Sequence, residues 1–105
     1  MNLIYDKIKD HKGQWLIIFD EQNQTKQIIK LDYISESKHD ELFVKGPEII
    51  FFESGCNIKK ESIRKIPLKV FCSSKNYSIL PEDKIENYLN LIIWDKIKKD
   101  FLNLK

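Results

Sequence analysis

The sequence predicts an α+β fold: a mainly antiparallel sheet of about five strands with a short N-terminal helix, a short internal helix and a long C-terminal helix, in the order α-β-β-β-β-α-β-α. Three observations carry this expectation. Short apolar runs rich in β-branched residues recur through the first half of the chain. The gaps between the first four runs are only two to six residues, which favours hairpins over crossovers. The last quarter opens on Pro81 and carries apolar residues at helical spacing.

Taken in order, Leu3, Ile4 and Ile8 have helical spacing within residues 2–10, and Gly13 is a plausible stop. Residues 14–19 and 26–34 read as two strands joined by a polar loop at 20–25. Residues 35–40 are polar and read as a connection. Residues 41–45 and 48–53 read as two further strands, with Gly46-Pro47 as punctuation between them. Residues 49–52 are apolar at every position, which suits a central strand. After the break at 54–57, Asn57 caps an expected short helix running to Ile66, which Pro67 ends. Residues 68–72 read as the fifth strand and 73–76 as a loop. In the C-terminal helix, Glu82 and Asp83 sit at the positive end of the dipole and Lys96, Lys98 and Lys99 toward the negative end. Its apolar residues fall in two sectors. Ile85, Tyr88, Leu89 and Ile92 form one. Ile97, Phe101 and Leu104 form the other, rotated by roughly 100°, with Trp94 at its edge. The second sector is explained by a helix wrapping a curved core or by a homodimer interface that includes Trp94, Phe101 and Leu102.

The 105 residues suit a single domain, 1–105, and at 42% hydrophobic and 32% charged they exclude a disordered tail, a coiled coil and a disulfide miniprotein. The longest apolar runs are five residues (15–19) and four (49–52, 91–94), far short of the roughly 20 a membrane helix needs. The N-terminal ten residues hold Asp6, Lys7, Lys9 and Asp10 and lack the apolar stretch of a signal peptide. Two cysteines, Cys56 and Cys72, are too few for a stapled secreted domain and fit a reducing cytoplasm.

A net charge of +2 conceals an asymmetry. Residues 32–53 hold six acids against Lys38 and Lys45, and residues 59–76 hold six bases against Glu61. Among 18 basic residues there is one arginine, Arg64, so guanidinium forks are nearly absent.

Few motifs for chemistry are present. Three glycines cannot build a phosphate-binding loop or a dinucleotide fingerprint, so no cofactor is expected. His11, His39, Cys56 and Cys72 are scattered singly, which is no metal signature. Glu82-Asp83-Lys84 resembles part of a nuclease core but opens a helix rather than a strand. Cys56 falls beside the expected helix N-terminus with Lys59 and Lys60 near, a setting that favours thiolate, and with His11 or His39 as base it outlines a cysteine nucleophile. The bland alternative is a cysteine that fills a gap.

Two binding expectations remain. The acidic segment presents Asp32, Glu36, Asp40 and Glu41, with Tyr33 and Phe43 as anchors, to a basic protein partner. This describes a non-enzymatic inhibitor of the immunity or antitoxin type, and short α+β chains of this profile are common among bacterial and phage inhibitors. The alternative is nucleic-acid binding, or a small ribonuclease toxin, through Lys59, Lys60, Arg64 and Lys65. Loop solvation and a solvated helix face are the plain readings of the two segments.

Overall fold

Alternation of apolar residues along β1 (Trp15–Asp20) sets the plan of the molecule: Leu16 and Ile18 point to one face of a sheet, and Trp15, Ile17 and Phe19 to the other. The computed structural model describes residues 3–20, 25–37, 40–52 and 55–103, with side chains in those ranges other than 20, 25 and 93–103. It is a mixed α+β structure with a curled antiparallel sheet and two helices. The other elements are α1 (Leu3–Lys9), β2 (Thr25–Lys30), β3 (Tyr33–Glu36), β4 (Glu41–Phe52), β5 (Gly55–Pro67), a 3-10 turn (Leu68–Cys72), β6 (Tyr77–Leu80) and α2 (Glu82–Asn103).

Every strand pair is antiparallel, and the path runs β3-β4-β2-β1-β6, with β5 on β4. β2 and β3 lie successively along the same partner, with Ile29 opposite Glu48 and Tyr33 opposite Lys45. They are two arms of one bent strand, interrupted at the buried Leu31 and at Asp32. The bend brings the Lys30 carbonyl so close to Gly46 that a Cβ on residue 46 would collide with its oxygen. Only glycine fits this crossing point.

Each face of the sheet carries its own core. Leu16, Ile29, Leu31, Leu42, Val44, Ile66 and Phe71 fill one, which Ile8 of α1 joins. Ile17, Ile28 and Phe51 form the other, under Ile85, Tyr88, Leu89 and Ile92 of α2. Those four helix residues are the first apolar sector expected from sequence. The start of α2 is pinned by Glu82, whose carboxylate accepts from Trp15 Nε1 at 2.7 Å and pairs with Lys30 at 3.3 Å. The side chains of Trp94, Ile97, Phe101 and Leu102, and Leu104 entirely, lie outside the described residues.

Three expectations are corrected. The internal helix over 57–66 is part of β5, which keeps register with β4 at eleven positions. That pairing outweighs the weak local helix preference of the segment. Gly46-Pro47 does not separate two strands but lies within β4. Register passes from Gly46–Ser62 to Glu48–Lys59, so Pro47 faces two residues, Lys60 and Glu61, in a bulge. Proline, which has no N–H for the ladder, is tolerated there. The run 68–72 is a 3-10 turn that places Leu68, Val70 and Phe71 against the first core. The last strand is instead β6, paired with Trp15 to Ile18 of β1.

Candidate functional site

The acidic and basic segments of the sequence become neighbouring strands, and each uses charge on the other. Glu48 of β4 is 1% exposed, yet no lone pair is wasted. Its Oε1 accepts from Ser62 Oγ at 2.9 Å and from Arg64 Nη2 at 2.6 Å. Its Oε2 accepts from Gln27 Nε2 at 2.6 Å and from Arg64 Nε at 2.7 Å. The arginine fork is bidentate, which a lysine cannot reproduce. Burial by itself pushes the Glu48 carboxyl up, but the hydrogen bonds from Arg64, Gln27 and Ser62, with the Arg64 charge, outweigh it and hold the group below its ordinary value. The same bond to Glu48 pushes Arg64 further up. A carboxylate so fully engaged has no open position for a substrate proton. It fixes the β2–β4–β5 geometry instead. The reciprocal pair, Lys45 of the acidic segment with Glu61 of the basic one, closes at 3.0 Å on the surface.

The sequence reading did not find the Glu48 network. Its signal was present in two facts: a lone arginine in a lysine-rich chain, and an acid placed in phase with Leu42 and Val44 along a strand.

The predicted anchors do meet. Tyr33 of β3 and Phe43 of β4 pack edge to face, with ring centroids 6.0 Å apart and planes at 86°. Tyr33 is 50% exposed, and neither ring belongs to either core. Tyr33 lies opposite Lys45 and Ser35 opposite Phe43, so both rings stand on the face away from the buried Leu42 and Val44. The acids flank them. Glu36, Asp40 and Glu41 gather at the β3–β4 turn, which the Ser37 amide closes by donating to the Glu41 carbonyl at 3.1 Å. Asp32 stands at the opposite end of β3. Asp40 takes φ 54°, a left-handed conformation that aspartate tolerates, and its carbonyl accepts from the Leu68 amide at 3.0 Å. The acidic surface is not continuous: Lys45 opposes Tyr33 and Lys65 opposes Phe43. An open depression of about 460 Å³ lies beside Asp32, Tyr33, Pro47 and Lys60.

The basic set is divided. Lys59, Lys60 and Lys65 are exposed along β5, but Arg64 is held by Glu48. Strand alternation sends Arg64 and Lys65 to opposite faces. Cys56 lies in β5 as an exposed free thiol, so the helix N-terminus expected to activate it is absent. His11 is engaged through Nδ1 with Gln14 Oε1 at 2.9 Å, and His39 lies outside the described residues. Cys72 is in the 3-10 turn, where its thiol contacts the Leu68 carbonyl at 3.7 Å. Among the described residues no group of three or more His, Cys, Asp or Glu could hold a metal ion. Among them, too, no helix is long and apolar enough to cross a membrane.

Compared with protein-family models, with curated proteins and with solved structures, the chain gives no match in any of the three.

Proposed function

We propose that this chain is a non-enzymatic protein-binding module of the inhibitor or immunity type, which docks a basic protein partner through the β3–β4 face. The observation that carries this reading is the Tyr33–Phe43 pair. The two rings pack edge to face outside both cores, and the half-exposed Tyr33 leaves this aromatic surface open at the half-buried Phe43. Rigid aromatic side chains of this kind are the commonest energetic anchors of protein interfaces. Asp32 beyond one ring and Glu36, Asp40 and Glu41 beyond the other supply a charged rim, which speeds encounter with a basic partner and fixes register. The module works in the cytoplasm, where its exposed thiols, Cys56 and Cys72, stay reduced.

The test is capture from host lysate at physiological salt, with nuclease treatment of the eluate. The expected result is one stoichiometric protein of basic isoelectric point. Tyr33→Ala and the double variant Glu36→Lys/Glu41→Lys should each lose it while keeping the parent's circular dichroism. Retention by both variants would move the interface elsewhere. A captured nucleic acid that high salt releases would replace this reading with the basic-strand one.

A further inference from the structure

We infer that the outer edge of β5 is a second docking site, one that takes an extended acidic segment of another protein as an added strand. β5 is thirteen residues long and pairs with β4, and among the described residues no strand covers its other edge. An open hollow of about 390 Å³ is lined by the four consecutive residues 61–64, together with Lys45 and Lys59. Consecutive side chains of a strand point to opposite faces. The hollow thus draws on residues of both faces of β5 and on Lys45 of β4, and it lies along the stretch of β5 whose outer edge is unpaired among the described residues.

Charge selects the occupant. Arg64 is neutralised by Glu48, and Glu61 by Lys45, which leaves Lys59, Lys60 and Lys65 as the unpaired charges of the strand among the described residues. Lysines on a sheet edge repel a like edge, which is how folded proteins avoid pairing with their own copies. The same lysines attract a strand that carries carboxylates. Ile63 and Ile58, 57% and 70% exposed, add an apolar surface on the face opposite Ser62 and Arg64. The matching segment thus alternates acidic and apolar residues. The bulge at Lys60 and Glu61 bends the edge beside the hollow, and the added strand follows it along residues 59–65, the stretch that holds both the hollow and the three lysines.

Fluorescence anisotropy with three labelled nine-residue peptides tests this on the whole protein. One alternates Glu and Val, one alternates Glu and Pro, and one alternates Lys and Val. The Glu-Val peptide should bind at least about tenfold more tightly than the Glu-Pro peptide, which has the same charge but too few amides for a ladder. The Lys-Val peptide should not bind. Amide exchange should slow within 59–65 on binding the first peptide, and Lys59→Glu/Lys65→Glu should weaken it by about tenfold or more. Equal affinity for the two acidic peptides would overturn the proposal in favour of charge attraction alone. No binding would overturn it outright. A concentration-dependent oligomer with β5 amides already protected would assign the edge to a second copy of the chain instead. The peptide comparison needs no variant, so it decides the matter even if the double substitution unfolds the protein.

Discussion

The two ends of β4 treat charge and aromatic surface in opposite ways. Around Glu48 a carboxylate is buried with four donors on two oxygens, and the strand is clamped to β2 and β5. Around Phe43, on the same strand, a half-buried ring meets the exposed Tyr33, and the nearby acids Glu36 and Asp40 stay on the surface. A run of acids in sequence therefore does not describe one surface. One of its members is internal structure, and the rest are available to a partner.

The comparison breaks most sharply at Glu48. Glu48→Ala leaves Arg64, Gln27 and Ser62 without their acceptor and should cost roughly 3–5 kcal/mol in urea unfolding. Glu48→Met/Arg64→Met should recover much of that loss, because removing both charges also removes the desolvation cost. If the double variant were no more stable than the single one, packing rather than pairing would be the important contribution. Next in size is Gly46→Ala, which drives a Cβ into the Lys30 carbonyl and should cost about 1–3 kcal/mol by the same measurement. The pH dependence sharpens the same contrast. The folded Glu48 carboxyl lies below its ordinary value of 4.5, so its stabilisation is present above that value and is lost as pH falls through the folded pKa. Glu48→Gln should therefore flatten the acid limb of a stability-against-pH curve. Smallest is Tyr33→Ala, expected to cost about 1 kcal/mol, the worth of its edge-to-face contact with Phe43, because the ring joins neither core. A loss above 2 kcal/mol there would show the aromatic pair to be part of the fold rather than an open anchor.

How far the sequence could be read depended on periodicity. β1 and β2 were legible as short apolar runs around a polar loop, and the α2 face from Ile85 to Ile92 followed from helical spacing alone. β5 was not legible, because its bulge breaks the two-residue alternation: Ser62, Arg64 and Ile66 point inward, and after Lys60 and Glu61 the phase shifts. Gly46-Pro47 misled for a related reason. A glycine and a proline usually end strands, but here one relieves a close approach and the other faces a bulge. The Tyr33–Phe43 contact was legible only as two aromatics in one segment, since their meeting depends on the β3–β4 register. Arg64 was visible as an oddity, but its partner could not be named before β4 and β5 were aligned.

The pairing of β1 with β6 has a kinetic consequence. Trp15 meets Leu80 across most of the chain, whereas β4 meets β5 between residues as near in sequence as Phe52 and Gly55. Closing a long loop costs entropy before any contact repays it, so the β4–β5 hairpin should order early and β6 should join late. α2 leans on the far side of that late seam through Glu82 and Trp15. In amide exchange, β6 and the first turn of α2 should open together and before the middle of β4, making the β1–β6 seam the first part of the sheet to part under mild denaturant.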